Sequence, residues 1–121
     1  MAGTHREMLE DQVRTEAFRR AIFECCKGRV VLEVGTGSGM LAVLAAQAGA
    51  RRVVAVEADA EMAQLAQQVV DANGVEVQVL SGRVEDVAPL VDRALGGEAE
   101  VLISEWMGRA ADGWRSSRRP S

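Results

Sequence analysis

The apolar positions change period several times along the chain. Between residues 6 and 26, Leu9, Val13, Phe18, Ile22 and Cys25 recur at spacings of three to five. That stripe predicts a helix, closed by Gly28. Arg29-Val-Val-Leu-Glu-Val34 is a short β-branched run followed by glycines, which predicts a buried strand. Met40, Leu41, Val43, Leu44 and Ala48 predict a second helix, closed by Gly49. Arg52-Val-Val-Ala-Val-Glu57 predicts a second strand. Asp59 suits the N-cap of a third helix, whose stripe is Met62, Leu65, Ala66 and Val69 and whose stop is Asn73-Gly74. Val75, Val77 and Val79 alternate with Glu76 and Gln78, which predicts a third strand near a sheet edge. Pro89 limits the next segment to a short helix starting at about that residue and ending at Gly96-Gly97. Glu100-Val-Leu-Ile-Ser104 predicts a fourth strand.

Strands that alternate with helices imply a parallel sheet with right-handed crossovers. The expected fold is α/β and Rossmann-like. The expected domain runs over residues 1–107. From Gly108 onward there is no periodic apolar pattern and there are four arginines, so residues 108–121 are expected to be a disordered tail.

Composition narrows the function classes. The 121 residues carry a net charge of −4, with acids and bases mixed, so no basic face for nucleic acid is expected. No apolar run approaches the roughly 18 residues that span a bilayer. The first residues hold no apolar signal core, so a soluble protein of the cytoplasm and/or nucleus is expected. Cys25 and Cys26 are adjacent and lack the spacing of a zinc knuckle or a redox pair. At least one of them reads as a small apolar residue on a helix face. His5 is the only histidine, so no metal site is expected.

The chemistry concentrates after the first strand. In an open α/β sheet, ligands bind beyond the carboxyl ends of the strands. There the loop Gly35-Thr-Gly-Ser-Gly39 allows close backbone approach to a ligand. A dinucleotide fingerprint would need glycine at position 40, which is Met40. The pattern is instead Glu33-x-Gly35-x-Gly37-x-Gly39. Glu57 closes the second strand about 20 residues later, where nucleotide-binding folds place an acid for ribose hydroxyls. A carboxylate there can take both hydroxyls, each bond being worth roughly 1.5–3 kcal/mol. Glu57 alone does not separate a nicotinamide cofactor from another nucleoside; the glycine spacing argues against the former.

Five segments then resemble one family. They are His5-Arg-Glu-Met8-Leu-Glu-Asp-Gln-Val-Arg14-Thr15, Val31-Leu-Glu33-Val-Gly-Thr-Gly-Ser-Gly-Met-Leu41, Ala48-Gly-Ala-Arg-Arg-Val-Val-Ala-Val-Glu57-Ala58, Gly82-Arg-Val-Glu85-Asp86 and Ser104-Glu-Trp-Met-Gly108. In this order they resemble the motifs of protein arginine methyltransferases, which are class I S-adenosylmethionine-dependent enzymes. The resemblance implies a parallel sheet in the order 3-2-1-4, flanked by helices. It implies S-adenosylmethionine as cofactor, arginine-containing proteins as substrate and a homo- or hetero-oligomer. It also implies that Arg14 reaches the methionine carboxylate of the cofactor, His5 forms part of a lid and Met8 packs near the reacting methyl. Gly35, with Gly37 and Gly39 in the same loop, would contact the cofactor. Glu57 would hold the ribose, and Glu85 the adenine amino group. Glu105 would be the catalytic residue, against the substrate guanidinium. Arginine is a poor nucleophile because its charge is delocalised and its pKa is about 13.8. A carboxylate on one side draws that charge away and leaves lone-pair character on the other terminal nitrogen.

The chain also departs from that family. The family pairs two glutamates on one loop, and no glutamate follows Glu105; Asp112 is the only later acid. Arg109-Ala-Ala stands where an aromatic-rich continuation belongs. The later strands, β-barrel, dimerisation arm and His-bearing loop have no counterpart. The fourth strand would remain an apolar edge. The expectation is a truncated chain, weak or inactive alone. The alternatives are a non-catalytic fragment that binds cofactor or a partner, a small-molecule methyltransferase, and a nicotinamide-binding domain.

Overall fold

The computed structural model describes residues 16–104, and the backbone of residues 109–114. Five strands form one sheet: β1 (Val30–Val34), β2 (Arg52–Glu57), β3 (Gln78–Ser81), β4 (Ala99–Ser104) and β5 (Arg109–Trp114). Their order is β3-β2-β1-β4-β5. The first four are parallel, as the alternation of strands and helices predicts. The helices are α1 (residues 16–26), α2 (Met40–Gln47), α3 (Ala60–Ala72) and α4 (Val84–Leu95). None of the described helices is long and apolar enough to cross a membrane.

β1 is apolar throughout, apart from Glu33, because it is covered on both faces. Val31 belongs to one core with Ile22, Cys26, Val43, Val53 and Ala55. Leu32 belongs to the other with Val54, Val56, Val91 and Leu95. Successive residues of β1 and β2 thus feed opposite cores, as the two-residue strand period requires. The central strand is therefore held from both sides, which fixes where it ends.

Several elements differ from the expectations above. The helix expected only from Pro89 begins at Val84, with Pro89 inside it. An interior proline costs about 3 kcal/mol through a lost hydrogen bond and a carbonyl clash. Val84, Val87, Val91 and Leu95 form one stripe on the second core. Full burial of such a side chain is worth roughly 1.5–3 kcal/mol, so the stripe outweighs the proline. In α3 the buried face is Ala63, Ala66 and Val70, and Leu65 is 44 % exposed. Small residues face the sheet because α3 lies close to the start of α2. Met40 is likewise exposed, and Cys26 rather than Cys25 is the fully buried thiol. Asp59 caps α3 as expected, accepting from the N–H groups of Glu61 and Met62.

The chain end is the largest correction. Residues 109–114 were expected to lie in a disordered tail, yet they form β5, antiparallel to β4, with Ser104 opposite Arg109 and Ala99 opposite Trp114. Their own pattern carries no strand signal. The open backbone edge of β4 supplies the pairing groups instead.

Three outcomes follow. Leu32→Ala removes a fully buried side chain and should cost about 2–5 kcal/mol in urea denaturation. Leu65→Ala should change stability by no more than about 0.5 kcal/mol. Burial pushes the Cys26 thiol up to about 11 from its ordinary 9.0, with Cys25 raising it and Arg29 lowering it. The unfolded chain then ionises before the folded one. Stability should be intact below pH 9.0 and fall as pH climbs towards about 11, and Cys26→Ala should flatten that fall in denaturation series.

Candidate cofactor site

β1 stops at Val34, and the chain turns at once into the glycine loop. The Gly35 N–H donates to the Val56 carbonyl at 2.8 Å, which holds the start of the loop against β2. No atom lies within 4 Å of where a Gly35 Cβ would stand. Backbone is thus presented to open space, as a closely approaching ligand requires. Gly39 differs. A Cβ there would lie 3.2 Å from Ala66 Cα, Cβ and carbonyl oxygen. Its φ is +84°. Besides the cofactor contact expected of its loop, the bare Cα of Gly39 serves the approach of α2 to α3.

Glu57 ends β2, half-buried, and its carboxylate is held on both oxygens. Oε1 accepts from the Gly37 N–H at 3.0 Å. Oε2 accepts from the Asp59 N–H at 2.9 Å. The Glu57 carbonyl accepts from the Gly82 N–H at 2.8 Å. One residue therefore joins the loops that follow β1, β2 and β3. Each carboxylate oxygen has two acceptor positions, so each keeps one for a vicinal diol. The open backbone at Gly35 beside a pre-oriented carboxylate fits a nucleoside cofactor. Glu85 stands exposed in the first turn of α4, where acidic residues complement the helix dipole. The same topology puts it at the carboxyl edge of the sheet.

Glu33 is a site residue that the pattern reading left without a role. It is completely buried in β1, and the Thr36 hydroxyl donates to its Oε1. Thr36 is completely buried too. The pair ties the second residue of the loop to the strand that precedes it. The available signal was an acid inside an apolar strand, three residues before a threonine.

His5, Met8, Arg14 and Glu105 lie outside the described residues. Among the described residues, no cluster of His, Cys, Asp and Glu could hold a metal. A groove of about 1160 Å³ lies elsewhere, lined by Arg51, Arg52, Asp71, Glu76, Gln78 and Arg93 among others. Neither Glu57 nor any residue of the glycine loop lines it.

The methyltransferase-domain family model matches residues 31–97, and the chain belongs to that family. Relatives that it resembles are named protein arginine N-methyltransferases. A probable protein arginine N-methyltransferase 6 of Arabidopsis thaliana is 48% identical over 111 residues, covering 88% of this chain and 24% of that protein. The crystal structure of Arabidopsis thaliana protein arginine methyltransferase 10, in a uniquely open conformation, is 43% identical with a TM-score of 0.66, covering 88% of this chain and 30% of that one. The Trypanosoma brucei PRMT1 enzyme-prozyme heterotetrameric complex with AdoHcy is 37% identical with a TM-score of 0.65, covering 88% of this chain and 33% of that one. The chain thus spans about a quarter to a third of the length of these relatives.

The buried Glu33–Thr36 pair has a measurable weight. Thr36→Val leaves the carboxylate without that donor and should destabilise the fold by about 1–3 kcal/mol. Thr36→Ser keeps the hydroxyl and should retain most of the stability in the same thermal unfolding series.

Proposed function

We propose that this chain is the cofactor-binding part of an S-adenosylmethionine-dependent protein arginine N-methyltransferase. The observation that carries the reading is the Glu57 carboxylate, fixed by Gly37 and Asp59 in a site where the Cβ position of Gly35 is open space. When bound, the cofactor supplies an electrophilic methyl group on a sulfonium. Glu57 would hold the ribose hydroxyls, Glu85 the adenine amino group, and the loop backbone at Gly35 and Gly37 would contact the cofactor. Arg14 pairs with its methionine carboxylate through a planar two-pronged fork. By the family resemblance, His5 would cover it and Met8 would pack near the reacting end. Glu105 would face the substrate guanidinium and draw its positive charge to one nitrogen, leaving lone-pair character on the other terminal nitrogen. Orientation of the two partners supplies much of the remaining rate.

A second reading is binding without turnover. It is favoured by the acid content after Glu105: Asp112 is the only acid there, where the family loop carries a second glutamate.

Calorimetric titration with S-adenosylhomocysteine tests the cofactor reading. The native chain should bind, and Glu57→Ala should bind about 10- to 100-fold more weakly, because it loses charged bonds to the ribose and the tie to Gly37. Equal binding by both would remove Glu57 from the site. Preference for NAD would move the chain to another ligand class. Methyl transfer to an arginine-rich protein separates the two readings. Slow or absent turnover by the isolated chain is expected; robust turnover, abolished by Glu105→Gln, would exclude binding alone.

A further inference from the structure

We propose that Gly82 is a positioning residue that sets where Glu85 meets the adenine amino group. The proposal rests on the cofactor reading above and adds to it the device that fixes adenine recognition.

Gly82 joins β3 to α4. Its φ is +141°, a region that residues with a side chain rarely enter. Its N–H donates to the Glu57 carbonyl, so the turn hangs from the residue assigned to the ribose. On the other side, a Cβ at Gly82 would stand 2.7 Å from Val87 Cγ1. Val87 cannot swing aside cheaply. Its side chain is β-branched and stiff at χ1, and it packs on the second core. Arg83 closes the first turn of α4, its carbonyl accepting from the N–H groups of Asp86 and Val87.

Glu85 lies between these two fixed points. Its turn is pressed against Gly82 through Val87 and is tied to Arg83 by hydrogen bonds. A side chain at position 82 has to push Val87 outwards, and the whole first turn goes with it. The placement of the Glu85 backbone relative to Glu57 is therefore set by the absence of a Cβ at Gly82. A displaced Glu85 loses the amino group, while the loop contacts to the rest of the cofactor remain.

The test compares two ligands by calorimetry on the full chain. One is S-adenosylhomocysteine; the other carries hydrogen in place of the adenine amino group. The native chain should prefer the first by about tenfold or more, the size of one charged hydrogen bond. Glu85→Ala should erase that preference. Gly82→Ala should erase it as well, while its affinity for the deaminated ligand stays within about threefold of native, since only the bond to the amino group is lost. Equal loss for both ligands, or a preserved preference, would overturn the role of Gly82. If Gly82→Ala fails to fold by circular dichroism, Gly82→Ala combined with Val87→Ala removes the atom that the new Cβ would strike; it should fold and recover the preference, and a double variant that folds without the preference overturns the proposal. A native chain that does not distinguish the ligands removes adenine recognition by Glu85, and the proposal with it. A native chain that prefers the amino ligand while Gly82→Ala keeps that preference overturns the positioning role alone.

Discussion

The ligand end of this fold depends on the carboxylate of Glu57. Parallel strands deliver their loops to one edge of the sheet, and those loops begin with backbone N–H groups that need acceptors. Glu57 takes one from the β1–α2 loop and one from its own β2–α3 turn, while its carbonyl takes a third from the β3–α4 turn. Charge-assisted bonds of this kind are about twice as strong as neutral ones. The site is thus organised by the same group that is proposed to bind the ribose. Organisation and recognition are not separable at Glu57.

That arrangement holds its place because β1 and β2 are buried from both sides. Val31 and Leu32 have no exposed surface, and Val54 and Val56 nearly none. A strand anchored in two cores cannot slide by one residue without turning both of them inside out. The end of β1 at Val34 and the end of β2 at Glu57 are therefore fixed relative to each other by packing. Glu33 continues this rigidity into the loop through Thr36. The chain belongs to the methyltransferase-domain family, and the segment that the family model matches, residues 31–97, contains all of these ties.

Much of this was legible in the sequence. The strand runs of β1 and β2, the Asp59 cap and the glycine loop follow from short-range pattern, because each is decided within a few residues; the parallel sheet followed from the alternation of strands and helices, and its order from the family resemblance. The misreadings share a different cause. Pro89 sits inside α4 because a valine stripe on the second core outweighs a local penalty. Leu65 is exposed because the tight approach at Gly39 and Ala66 decides which face of α3 turns inwards. β5 forms on an edge that another strand leaves open. The division of labour between Gly35 and Gly39 has the same origin. Both are glycines in one motif, but one faces open space and the other a neighbouring helix.

The central claim is that the Glu57 side chain holds the ligand loops in place. Backbone amide hydrogen exchange, resolved by NMR in the native chain and in Glu57→Ala, tests it most directly. Exchange at Gly37 and Asp59 should accelerate by about tenfold or more in the variant, while Val54, inside the core, keeps its native protection. Gly82, bonded to the main chain of residue 57, should change less than either. Unchanged protection at Gly37 and Asp59 would contradict the account, because the loops would then be held by something other than that carboxylate.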